Sequence, residues 1–139
     1  MKILFVCSGN TGRSPMAEFI LKKLVGDDKN FVIESAASKP TEGGDLHAGI
    51  AAKLREENIP YTKHTARQIT AADYEKFDKI ICMDAGNVEQ VKTICGGDRD
   101  NKIQMLLEND IPWDKNGFAK TYDDILRGCQ KLLKTLKEA

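Results

Sequence analysis

The 139-residue chain has little that would commit it to a membrane, a nucleic acid or a metal. No apolar run approaches the roughly 20 residues that a helical span needs. Basic and acidic residues number 21 each, so no global positive field exists to attract a polyanion. The four cysteines, Cys7, Cys82, Cys95 and Cys129, include no Cys-x-x-Cys pair. Neither His47 nor His64 stands at metal-ligand spacing from a cysteine. These absences argue against a structural zinc site, and no metal or cofactor is expected. The N-terminus lacks the long apolar stretch and small-residue cleavage site of a secretion signal. The expected location is the cytoplasm, with four free thiols. Repeats, low-complexity segments and linkers are also lacking, so residues 1–139 read as one domain, a monomer or weak dimer.

What is present alternates. Apolar runs at 3–6, 31–36, 79–83 and 103–107 read as strands. Between them, 16–24, 45–58, 70–77 and 87–94 read as helices, and Leu132, Leu133 and Leu136 extend a final helical face over 121–137. Thr70 with Asp73 resembles an N-cap with an acidic third position. Residues 61–69 fit a brief strand or an ordered loop, 39–44 and 108–117 loops. Alternation of this kind predicts an α/β domain, a parallel sheet covered on both faces in three layers. In such sheets ligands bind at the carboxyl ends of strands.

The stretch from Cys7 to Pro15 leaves the first strand at that end and opens the first helix. Gly9 and Gly12 allow a tight turn with backbone N–H groups pointing inward, and Pro15 fits a first helical turn. Strand end, loop and helix N-terminus together form a cradle for an anion. A free thiol ionises near pH 8.5, and a helix N-terminus with a cation brings that down to roughly 3.5–7.5. Cys7 is offered both, with Arg13 as the cation, and Ser14 is placed to donate to the sulfur or to cap the helix. The guanidinium fork of Arg13 suits bidentate contact with a tetrahedral oxyanion. A nucleophile beneath such donors is equipped to attack phosphorus. Cys82 and Cys129, set among apolar residues, read as buried small hydrophobes, and Cys95, before Gly96-Gly97, as inert.

Phe5-Val6-Cys7-x-Gly9-Asn10-x-x-Arg13-Ser14-Pro15-Met16-Ala17-Glu18 resembles the signature of the low-molecular-weight protein tyrosine phosphatases. The resemblance continues through Ser35-Ala36-Ala37, Thr65-Ala66-Arg67-Gln68-Ile69, Phe77 to Asp84 and Phe118 to Ile125. It implies a flavodoxin-like fold with a four-stranded parallel sheet. It also implies a metal-free, two-step reaction on a phosphorylated protein: Cys7 takes the phosphoryl group, and an aspartic acid protonates the leaving group. Cys7, Arg13 and that acid would be catalytic. Ser8, Gly9, Asn10, Thr11, Gly12 and Ser14 would bind the phosphate, Asn10 bracing the loop.

Two positions depart from the family pattern. Gly12 stands where relatives usually carry a second cysteine that guards the nucleophile against over-oxidation. The acid is expected in an Asp-Pro-aromatic run, but the chain reads Asp110-Ile111-Pro112-Trp113-Asp114, with Ile111 in the aspartate's place and the loop shorter by about two residues. Asp110 is the first candidate for the acid, Asp114 the second, and no working acid the third. Trp113 is either a stacking wall for a flat substrate or a hydrophobic anchor of the loop. His64 and Arg67 read as structural, and Asp84 as a helix cap.

Phosphotyrosine and small aryl phosphates are the expected substrates. Thr11 keeps phosphoarginine open, since the protein-arginine phosphatase branch resembles the chain there. A catalytically weak phosphate-binding module is the reading from another class. Arsenate reduction lacks its closely spaced cysteine pair, and a nucleotide switch lacks the first glycine and the lysine of the nucleotide loop.

Overall fold

The computed structural model describes residues 1–41 and 43–138; Glu42, in the expected loop 39–44, lies outside them. Strands β1 (Lys2–Cys7), β2 (Val32–Ala37), β3 (Lys79–Cys82) and β4 (Ile103–Met105) alternate with helices α1 (Arg13–Val25), α2 (Ala48–Glu56), α3 (Ala71–Lys76), α4 (Ala85–Cys95) and α5 (Ala119–Glu138). The sheet is parallel throughout, in the order β2-β1-β3-β4, the beginning of the flavodoxin-like order. The chain switches direction between β1 and β3. The loop after β1 therefore opens into the crevice where such sheets hold ligands.

β1 is central and near-continuously apolar, as a strand covered on both faces must be. Its side chains alternate between two cores. Ile3, Phe5 and Cys7 face a cluster with Met16, Ile20 and Leu21 of α1 and Ile125, Cys129 and Leu132 of α5. Leu4 and Val6 face a second cluster with Tyr74, Phe77, Ile80, Cys82 and Val91. One polar tie secures α1 to the sheet: the Ser35 hydroxyl donates to Glu18 Oε1 at 2.6 Å, and Lys22 pairs with Oε2 at 2.6 Å. Two residues of the recognised motifs, far apart in sequence, thus meet as one buried contact.

Several boundaries differ from expectation. α1 begins at Arg13, because Gly12 O already accepts from Met16 N at 3.0 Å. β4 ends at Met105 rather than 107, since it pairs only with Ile80–Cys82 of the short β3. Residues 61–69 make two isolated bridges, Asp45–Thr65 and Ala37–Gln68, and no strand of their own. α2 spans Ala48–Glu56 rather than 45–58, with His47 as its N-cap. The Thr70–Asp73 cap forms as expected, Asp73 Oδ2 accepting from Thr70 N at 2.8 Å.

Candidate active site

Cys7 ends β1 with its side chain nearly buried, at the floor of the turn that leads into α1. Asn10 N donates to Cys7 Sγ at 3.3 Å, and Ser14 Oγ lies 3.0 Å from the same sulfur. One group from the loop, Asn10 N, and one from the first turn of α1, Ser14 Oγ, thus converge on the thiol.

Asn10 is the pivot of the loop. Its backbone adopts φ 57°, a left-handed conformation that asparagine tolerates better than most residues. Its side chain is fully buried and makes two contacts: Nδ2 donates to Ser14 Oγ at 2.9 Å, and Oδ1 accepts from Arg67 N at 3.1 Å. Its carbonyl oxygen lies 2.7 Å from His64 Nε2. His64 and Arg67 therefore hold the turn from outside, across more than fifty residues of sequence. Arg67 is itself fixed by a two-pronged pair with Asp73, at 3.0 and 3.1 Å. Burial pushes the Asp73 carboxyl up, but the bonds from Arg67 and Thr70 outweigh it and bring it below the ordinary carboxylate range.

Arg13 is buried to 7% exposure, and one nitrogen, Nη1, donates both to Asp84 Oδ2 and to Ile111 O, each at 2.8 Å. Asp84 also caps α4, its Oδ1 accepting from Asn87 N at 2.8 Å. The cap was legible in the sequence; the pairing with Arg13 was not. Asn87 in turn donates to Ser8 Oγ at 3.2 Å and Ser38 Oγ at 3.1 Å, a polar bridge from α4 to the loop that no local pattern signals.

One cavity of about 300 Å³ is lined by Cys7, Ser8, Gly9, Asn10, Thr11, Gly12, Arg13 and Trp113. Eight residues singled out from the sequence are thereby brought together. Asp110 is not among them. Its Oδ1 accepts from Ala85 N at 2.9 Å, at the start of α4, and it lines a different cavity with Lys120, Asp124 and Arg127. Asp114 is exposed and holds a turn, accepting from Asn116 N at 2.9 Å. Ile111, in the place where the family pattern puts the acid, is buried in the first core, and its N–H donates to Met83 O at 2.9 Å. The other thiols do not line the cavity that holds Cys7. Burial pushes Cys82 and Cys129 far up, and raises Cys95 with Asp73 and Asp98 adding to the effect. Among the described residues no group of three or more His, Cys, Asp or Glu could hold a metal, and no helix is long and apolar enough to cross a membrane.

A buried thiol met by a backbone N–H and a hydroxyl, with a buried guanidinium in the same cavity lining, is an arrangement with the chemistry to receive an oxyanion on a parallel α/β sheet. Comparison with known proteins gives that arrangement its family. The sequence model described as low molecular weight phosphotyrosine protein phosphatase matches residues 2–139. The mouse low molecular weight phosphotyrosine protein phosphatase is 34% identical over 94% of this chain and 92% of its own. The crystal structure of the low molecular weight protein tyrosine phosphatase from Streptococcus pyogenes superposes with a TM-score of 0.90 at 40% identity, covering 97% of this chain and 92% of that one. YwlE arginine phosphatase, a Bacillus subtilis protein, solved with a phosphorylated active-site serine, superposes at 0.88 with 25% identity, covering 99% and 96%. The chain belongs to the low-molecular-weight protein tyrosine phosphatase family, a family of hydrolases.

Proposed function

We propose that this chain hydrolyses protein phosphotyrosine and small aryl phosphates through a phosphocysteine on Cys7. The observation that carries the reading is the sulfur at the cavity floor, accepting from Asn10 N and within hydrogen-bond distance of Ser14 Oγ, with Arg13 lining the same cavity. In the first step the Cys7 thiolate attacks phosphorus, an S–P bond forms, and the P–O bond to the leaving group breaks. In the second, water attacks the phosphocysteine and passes a proton to the aspartate left ionised by the first step, the S–P bond breaks, and phosphate departs as the thiolate returns. Loop N–H groups and Arg13 hold the charge that spreads over the phosphoryl oxygens. The buried pairing of Arg13 with Asp84 and Ile111 O orients the guanidinium in advance, so little reorganisation is left for the reaction.

Asp110 is the proton donor in this reading. Its backbone lies one residue before Ile111, whose carbonyl oxygen accepts from Arg13, which makes it the carboxylate nearest in sequence to that contact. To act it must release Ala85 N. Catalytic hydrogen bonds often tighten only once substrate is bound. Removing Asp110 as Asp110→Ala then steepens the dependence of kcat on leaving-group pKa across a series of aryl phosphates. An unchanged slope would remove Asp110 from the mechanism. Hydrolysis of p-nitrophenyl phosphate, abolished by Cys7→Ser, tests the nucleophile. Binding of phosphate without any turnover would instead mark a phosphate-binding module.

Phosphoarginine is the second reading, favoured by Thr11 on the cavity wall and by the likeness to YwlE arginine phosphatase. A threonine hydroxyl suits a polar phosphoramidate, whereas Trp113 suits an aryl ring. Relative kcat/KM on phosphotyrosyl and phosphoarginyl peptides, with Thr11→Ile alongside, separates the two. The substrate in either case is a phosphorylated protein.

A further inference from the structure

Gly12 carries no side chain, and Trp113 uses the space. A Cβ built on Gly12 would stand 2.3 Å from Trp113 Cζ3, 3.0 Å from Cη2 and 3.1 Å from Cε3. The benzo edge of the indole therefore rests directly on the loop backbone, between the phosphate-binding N–H groups and the start of α1. Gly12 has φ −129° and ψ −86°. Whatever the backbone asks of that position, the ring occupies the space a Cβ would need.

A second glycine repeats the device. A Cβ on Gly49 would lie 2.4 Å from Phe118 Cε2, so Phe118 is let into the first turn of α2. His47 joins the two rings, 5.1 Å from Trp113 and 5.4 Å from Phe118, edge-on to both, while Trp113 and Phe118 lie 5.1 Å apart. The cluster is tied to the loop by His47 N, which donates to Thr11 O at 2.8 Å, next to Gly12. Trp113 is thus gripped on one side by an aromatic pair and on the other by the loop. The residue as a whole remains 41% exposed. Among the described residues it is the one cavity-lining residue that does not come from the stretch 7–13.

We propose that Gly12 is a positioning residue for specificity: its bare backbone is a notch that seats Trp113 and so sets the width of the cleft for the group attached to phosphorus. The proposal rests on the phosphatase reading and names the element that measures its substrate. Any side chain at position 12, a cysteine included, would have to lift the ring by about 1 Å to reach ordinary contact distance. Displacements of that size in a substrate wall are felt in catalysis.

Trp113 is the sole tryptophan, so its emission reports the seating without ambiguity. In Gly12→Ala the emission shifts to the red and the acrylamide quenching constant rises by about twofold. KM for p-nitrophenyl phosphate rises by about three- to tenfold, the scale of a lost aromatic contact. The inhibition constant of inorganic phosphate changes by less than about twofold, because the position-12 N–H is retained. In a Trp113→Ala background, Gly12→Ala raises KM by a clearly smaller factor than in the unsubstituted chain. Unchanged emission, or KM and phosphate inhibition rising together by equal factors in both backgrounds, would overturn the proposal. Should Gly12→Ala fail to fold while Gly12→Ala/Trp113→Ala folds, the notch is upheld; failure of both would overturn it. Absence of turnover in the unsubstituted protein would refute the phosphatase reading instead, and the fluorescence comparison would still decide the notch.

Discussion

Asn10→Ala is the substitution on which the account of the loop stands or falls. The side chain is fully buried and satisfies two partners, Ser14 Oγ and Arg67 N. Deleting it leaves both short of a bond, at about 1–3 kcal/mol for each group that water fails to reach. The backbone at φ 57° adds about 1 kcal/mol for an alanine forced into the left-handed region. Arg67 N is only partly buried, so water recovers some of its share. The expected loss is about 2–5 kcal/mol, a large part of the stability of a domain this size. Urea denaturation of the full chain measures it, and Asn10→Gly divides it. Glycine keeps the left-handed turn, so that variant retains about 1 kcal/mol that alanine loses. Both variants lose turnover, because the N–H of residue 10 no longer holds its place on Cys7 Sγ. A loss below about 1 kcal/mol for Asn10→Ala, or an equal cost for alanine and glycine, would refute the view that Asn10 braces the loop through its side chain and its backbone conformation.

Asp84→Asn removes the charge facing Arg13 and leaves Ile111 O as its acceptor, so kcat/KM on an aryl phosphate falls by about tenfold with stability changed little. Equal rates would show that Ile111 O alone suffices. Mild peroxide carries Cys7 past the sulfenic stage, because Cys82 lies in the core across the sheet, Cys129 donates to Ala17 O within the apolar interior and Cys95 ends α4. Mass spectrometry checks this, and a recoverable disulfide of Cys7 with any of the three would contradict it. Asp73→Asn costs about 1 kcal/mol at neutral pH, its pair with Arg67 being partly open to solvent. Since the folded carboxyl lies below 3.8, the stability it confers is complete above the unfolded value, near 4, and is lost as pH falls through the folded one. The gap between Asp73→Asn and the unsubstituted chain therefore narrows below about pH 4 in denaturation curves; a gap constant down to pH 2 would contradict the shift.

The order of strands and helices could be read because each element announces itself locally, by apolar runs of strand length and by glycine, proline and cap residues between them. The turn from Cys7 to Ser14 was legible for the same reason: strand end, donors, cation and helix start lie within a few residues. What stayed hidden depends on contacts between distant segments. Asp84 reaches Arg13 across 71 residues, Ile111 O reaches it across 98, and His64 meets Asn10 O across 54. Asp84 was legible as a cap because capping is local, and its second oxygen was not. His64 and Arg67 read as structural, and their bonds to Asn10 brace the very turn that holds the sulfur. The seating of Trp113 on Gly12 needs the fold, since no pattern places residue 113 over residue 12.

Ile111 has a consequence for how such a chain could change. Its side chain belongs to the apolar interior, its N–H to Met83 and its carbonyl to Arg13, so it rivets the sheet to the guanidinium. A lineage that gained an aspartate here by substitution would bury a carboxylate among aliphatic side chains, at a cost of several kcal/mol, and would lift the rivet at the same time. Insertion is the open route: two added residues on the solvent side of Ile111 would let an acid face the cleft while the isoleucine stays where it is. Relatives with longer and shorter versions of this loop would then be separated by a gap in length, with few passable single substitutions between them.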